Sequence, residues 1–119
     1  DVSVIYSDQF TTLNTKNGIN ESHLTINEGA SLKISGFKYG IKACHTPIIV
    51  NGTFVVSGTT QAIVSSSTTK NREIKIAEGF DVYFDGLKQT ITDNKTDTNT
   101  LGTALKLAVI PEGDNIDNY

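Results

Sequence analysis

The chain has 119 residues, 37% apolar and 19% charged, with a net charge of −3. That length suits one compact domain. Its ten Lys and Arg residues are scattered, which gives no reason to approach a phosphate backbone and excludes nucleic acid as an expected partner. No apolar run approaches the ~20 residues that cross a bilayer, so no membrane partner is expected.

In chain order, residues 1–22 read as an extended amino-terminal arm and residues 23–119 as the folded domain. The arm is polar apart from Val2, Val4, Ile5, Tyr6 and Phe10, and carries one short strand at 2–6. Nine further runs suit strands, at 23–26, 31–34, 47–50, 53–56, 61–64, 73–76, 81–84, 88–91 and 105–109. Within them Leu32 and Ile34, Ile74 and Ile76, and Val82 and Phe84 fall on one face, with Lys33, Lys75 and Tyr83 on the other. This period of two is that of a sheet with one buried side. The 16 Thr and 9 Ser residues agree with half-exposed strands. Gly58-Thr59-Thr60 and Asp85-Gly86 mark tight turns. Residues 65–72 and 93–100 have little to bury and read as exposed loops, and the best helix signal is a single turn around 99–106.

One internal echo recurs: Asn27-Glu28-Gly29, Asn51-Gly52 and Ala77-Glu78-Gly79 each lead into a strand that ends near a glycine. Stacked coils of a solenoid would repeat at a nearly fixed period, whereas the step from Gly52 to Gly79 is longer than the step from Gly29 to Gly52. Hairpins of a barrel or sandwich are therefore expected.

Residues able to do chemistry are few. Cys44 and His45 are a nucleophile and a base side by side, but neighbours on a strand point to opposite faces and cannot share a proton. As the only cysteine, Cys44 also excludes an internal disulfide. The stretch Asp93-Asn94-Lys95-Thr96-Asp97 has oxygen ligands at alternate positions but lacks the central Gly and closing Glu of a calcium loop. The run Glu112-Gly113-Asp114-Asn115-Ile116-Asp117 is equally incomplete, and Glu28, Glu78 and Asp81 are explained by turns. No Gly-x-Ser-x-Gly, P-loop or His-Glu-x-x-His motif occurs. Neither an enzyme nor a cofactor is expected, and no metal site. The sequons at Asn20, Asn51 and Asn94 are about as many as chance supplies in a chain rich in Asn, Ser and Thr.

Several motifs have a family counterpart. Asn51-Gly52-Thr53-Phe54-Val55-Val56 resembles the "x-Gly-x-Phe-x-x" strand of the bacteriophage capsid decoration (cement) proteins. Ile76-Ala77-Glu78-Gly79-Phe80-Asp81-Val82-Tyr83-Phe84-Asp85 resembles their "Gly-Asp-x-Val-Tyr-Phe-Asp" strand, with Phe80 inserted. Gln89-Thr90-Ile91-Thr92 followed by Asn99-Thr100-Leu101-Gly102-Thr103-Ala104-Leu105 is similar to their threonine strand and "Asn-x-x-Ile-Gly-x-Ala" segment. Glu112-Gly113-Asp114 sits at their Gly-Asp turn. Ile26-Asn27-Glu28-Gly29 with Leu32-Lys33-Ile34, and Tyr39-Gly40-Ile41-Lys42-Ala43, are similar to the opening hairpin and next strand.

The resemblance implies an all-β domain, a small barrel or β-tulip of about ten short strands. It implies a homotrimer on the outer surface of an expanded virion shell, bridging major capsid protein subunits. On that reading Val2, Val4, Ile5, Tyr6 and Phe10 of the arm are the expected partner-binding residues, adding a strand to an exposed sheet edge. The competing readings are a filament subunit assembled by strand donation and a carbohydrate-binding or adhesin module. The latter is poorly served by a chain without Trp and with only four Tyr.

Overall fold

The computed structural model describes residues 5–6, 17–20, 24–44, 47–65 and 73–119. The protein is mostly β, as expected, but the described residues form no closed barrel, and they make thirteen strands rather than ten. The first coil contains β2 (Asn17–Asn20), β3 (Thr25–Ile26) and β4 (Ser31–Ile34). The second contains β5 (Tyr39–Cys44), β6 (Ile48–Val50) and β7 (Thr53–Ser57), and the third opens with β8 (Gln61–Ser65) and β9 (Glu73–Ile76). Each strand pairs in parallel with the one three places later: β2 with β5 and β5 with β8, β3 with β6 and β6 with β9, β4 with β7. Parallel pairing of every third strand is a three-sided coil stack, a short solenoid.

The glycine echo therefore marks corners of stacked coils, and the barrel or tulip expectation is corrected. On two of the three sides the repeat is regular, apart from a register shift at the end of β5. Asn17 lies opposite Tyr39, Tyr39 opposite Gln61 and Ser31 opposite Thr53, and the step along the chain is the same in all three pairs. On the side made by β3, β6 and β9 the step is longer, from Thr25 to Ile49, and longer again from Ile49 to Lys75. Most of the extra length enters between β8 and β9, because the chain from Gln61 to Lys75 is longer than its counterpart from Tyr39 to Ile49 one coil earlier. A solenoid tolerates this because only the paired segments must match, and corners can lengthen. Residues 17–20, read from sequence as the end of the arm, pair with β5 as part of the first coil.

The interior is a set of aligned aliphatic columns. Ile26, Val50 and Ile76 are stacked register partners, as are Ile48 with Ile74 and Ile41 with Ile63, all at most 4% exposed. On the third side Leu32 faces Phe54 and Ile34 faces Val56. The corners admit little bulk. A Cβ on Gly52 would lie 2.4 Å from the Ala30 carbonyl oxygen and 2.5 Å from that of Asn27, so the second coil's corner nests on the first. The 58–60 turn joins strands of different sheets and is also a corner, not a hairpin.

After β9 the chain turns back to close the stack. It forms β10 (Phe80–Phe84), β11 (Leu87–Lys88), β12 (Lys95–Asp97), the one-turn helix α1 (Thr98–Leu101) and β13 (Lys106–Pro111). Strand β12 pairs antiparallel with β9, Ala62 N donates to Ala104 O beside β8, and β13 pairs antiparallel with β7. One return rung thus covers all three sides. Strand β10 runs in the direction a third coil would take, but lies one strand further out because β13 fills the gap between β7 and β10. The columns continue across this reversal, with Val109 beside Phe54 and Val82, and Leu107 beside Val56 and Phe84. At the other end β1 (Ile5–Tyr6) pairs antiparallel with β3.

The corner glycines give a direct test. A Cβ on Gly58 would stand 2.1 Å from the Gln61 carbonyl oxygen and 2.7 Å from that of Lys38, so Gly58→Ala must displace backbone. We expect it to cost roughly 2–4 kcal/mol in urea unfolding. Gly86→Ala, with φ of +82° and open space around it, should cost only about 1–2 kcal/mol.

Candidate functional site

The residues singled out in the sequence do not converge. Val2, Val4 and Phe10 lie outside the described residues, and the backbone of Ile5 and Tyr6 pairs with the chain's own β3. Cys44 ends β5, and His45 is outside the described residues. Glu28 and Glu78 sit in separate exposed corner turns, while Asp81 on β10 pairs with Lys88 at 3.5 Å. Among the described residues no group of three or more His, Cys, Asp or Glu side chains is arranged to hold a metal ion.

The acidic stretch 93–99 is organised by backbone chemistry. Asp93 and Asn94 both have positive φ, 58° and 54°, and turn the chain between the bridged residues Thr92 and Lys95. That conformation suits short Asx side chains at a primed hairpin turn. The exposed loop predicted there is in part strand β12, held by main-chain pairing to β9 and by a 3.3 Å contact from Lys95 Nζ to Glu73. Asp97 Oδ1 caps α1 by accepting from Thr100 N at 2.6 Å. Sequence periodicity missed β12 because its pairing buries little side chain.

Asp85 is the clearest structural residue that the sequence showed only as a turn. It holds φ of 50° beside Gly86, between the paired residues Phe84 and Leu87. Its Oδ1 accepts from Leu105 N and Lys106 N at 2.9 and 3.0 Å, and its own N–H donates to Lys106 O. The β10 turn is thereby fastened to the start of β13.

Two features stand out, an open cleft and a covered apolar face. The first is an open cleft of about 500 Å³ whose lining includes Phe80, Ile91, Gln89, Asn94, Asp81 and Glu112. Phe80 and Ile91 also pack against the main core. The second is the outer face of the sheet containing β7, β13 and β10. Val55, Ala108 and Ile110 there are as buried as the interior, at most 3% exposed, under Tyr83, Ile116 and Tyr119. Ile116 opens a single 3-10 turn, Ile116–Asn118, begun by Asn115, whose Oδ1 accepts from Asp117 N. Lys106 Nζ donates to Tyr119 O at 2.8 Å, and the Tyr119 hydroxyl donates to Asp114 Oδ2. The acidic run at 112–117 thus supplies this fold-back rather than a ligand cage.

Comparison with family models, with curated proteins and with solved structures finds no match to the chain.

Two outcomes follow from the polar groups. Thr98 is 6% exposed and its Oγ1 has no hydrogen-bond partner among the described residues. Thr98→Val should stabilise the fold by about 1 kcal/mol, read as a raised urea midpoint with unchanged slope. The hydrogen bond to Asp114, then burial, then the nearby negative charge hold the Tyr119 phenol above its ordinary pKa. Folding therefore favours the protonated phenol. Its contribution is full below about pH 10 and is lost as pH rises through the folded pKa. An ultraviolet phenolate titration should show Tyr119 ionising late, and Asp114→Asn should bring it earlier.

Proposed function

We propose that the chain is a non-catalytic structural module that binds the outer surface of an expanded phage capsid and stabilises it by bridging major capsid protein subunits. One observation carries the reading. The motif segments at 51–56 and 76–85 supply β7 and β10, and both pair with β13, which lies between the segments at 99–105 and 112–114. Four of the motif segments thus border one sheet, while Tyr39–Ala43 lies on β5 in another. The barrel is not needed for the task. A body with an aligned, closed core presents fixed contact points without an ordering cost, and gripping several subunits at once lowers the free energy of the assembled shell.

A second reading, a filament subunit that accepts a strand from its neighbour, is favoured by the first coil. Strand β4 pairs only with β7, and β2 only with β5, among the described residues. A strand edge of this kind offers main-chain groups to an incoming chain.

Co-sedimentation separates the two. The purified chain, mixed with expanded and unexpanded capsids, should pellet saturably with the expanded form alone, and those capsids should resist a higher temperature before releasing DNA. Absence of binding to both forms would overturn the capsid reading. Fibres growing from the pure chain would establish the second.

A further inference from the structure

One buried row of the sheet containing β7, β13 and β10 runs past the end of the core. Pairing sets Ile34 beside Val56, Val56 beside Leu107, Leu107 beside Phe84 and Phe84 beside Leu87, a single apolar row across the sheet. Its first four members are at most 9% exposed, whereas Leu87, on the edge strand β11, is 71% exposed. A leucine alone on a surface needs no explanation. Leu87 differs because it is the last member of an otherwise buried row. Leu105, 47% exposed, is the other large exposed apolar side chain among the described residues. It lies two positions before Leu107, and its N–H is held by Asp85 of the β10–β11 turn.

The main chain at this edge is open as well. Hydrogen-bonding direction alternates along a strand. Gln89 N donates to Val82 O, toward β10, and Leu87 is paired with Phe84 on the same side. The N–H and C=O of Lys88, between them, therefore point out of the sheet, and neither has a partner among the described residues. The Lys88 side chain lies on the face opposite to Leu87. It is 61% exposed, and its one carboxylate contact among the described residues is Asp81 at 3.5 Å. An exposed ion pair of that length leaves the ammonium able to take a second carboxylate. The edge is also held in place before anything binds, because Asp85 Oδ1 accepts from Leu105 N and Lys106 N.

We propose that the outer edge of β11 is a strand-addition site for a partner protein, whose occupant is an extended segment alternating β-branched apolar with acidic residues. The incoming residue opposite Lys88 exchanges two main-chain hydrogen bonds with it and turns its carboxylate to the ammonium. The next residue of that segment falls on the face of Leu87 and Phe84 and continues the buried row. Charge selects this occupant over a second copy, since two copies pairing here about a two-fold axis would set Lys88 against Lys88. The proposal does not rest on the capsid reading and holds for whichever partner supplies the segment.

The probe is the peptide acetyl-Thr-Val-Glu-Val-Glu-Val-Thr-amide, titrated into the isotopically labelled full chain and followed by nuclear magnetic resonance. The Lys88 amide signal should shift, and its hydrogen exchange should slow at least roughly fivefold at saturation as its N–H gains an acceptor. Leu87→Ser removes apolar surface that the peptide would cover, and should weaken binding at least roughly tenfold. The same peptide with Lys in place of both Glu should bind more weakly than the acidic one, and Lys88→Glu should reverse that preference. An unmoved Lys88 amide in the presence of the acidic peptide would overturn the proposal. So would equal binding of the two peptides to the parent chain, or undiminished binding to a Leu87→Ser chain with the parent's circular dichroism spectrum.

Discussion

Register between successive coils is the constraint on which the rest of the molecule hangs. With Ile26, Val50 and Ile76 in one column and Leu32 beside Phe54 in another, a slip to the adjacent register would turn a whole set of aliphatic side chains out to water. Each buried side chain of this size contributes roughly 1.5–3 kcal/mol relative to exposure, so the aligned arrangement is strongly preferred over its neighbours in register. The corners then have to follow. Where two of them nest, as at Gly52 on the carbonyls of Asn27 and Ala30, only a residue without Cβ leaves the coils in contact.

A stack of parallel coils ends in a row of open main-chain groups, which would recruit other strands. Here the return of the chain closes that end on all three sides, with β12 on β9, residue 104 beside β8, and β13 on β7. The columns do not stop at the reversal, because Val109 and Leu107 continue them in antiparallel pairing. Asp85 accepts two backbone N–H groups from the start of β13 and so ties the outermost turn to the strand that does the closing. The two ends of the stack consequently differ: one is finished by a full return rung, whereas at the other only β3 has an added partner strand, β1, among the described residues.

That asymmetry bears on function. Carboxylates that looked free in the sequence are engaged in local structure, Asp97 as a helix cap, Asp85 as a fastener, Asp114 as the acceptor for Tyr119 and Asp81 beside Lys88. What the fold offers outward is shape and main-chain edge.

The alternation of Leu32 with Ile34, Ile74 with Ile76 and Val82 with Phe84 was enough to establish an all-β chain, and β4 and β9 have the bounds that this period predicts. Asp85-Gly86 likewise announced its turn, because positive φ at two successive positions has few chemical solutions. Those are local matters, settled by neighbours along the chain. Which strand lies beside which is not local. The uneven steps between Gly29, Gly52 and Gly79 hid an equal step from Asn17 to Tyr39 and from Tyr39 to Gln61, since a corner can lengthen while the strands on either side of it stay paired. Only the folded coils separate the two. Strand β12 was invisible for a related reason, being held by backbone pairing with little side-chain burial. The dry outer face of Val55, Ala108 and Ile110 was decided last of all, by a segment that becomes apolar cover only once it folds back across the sheet.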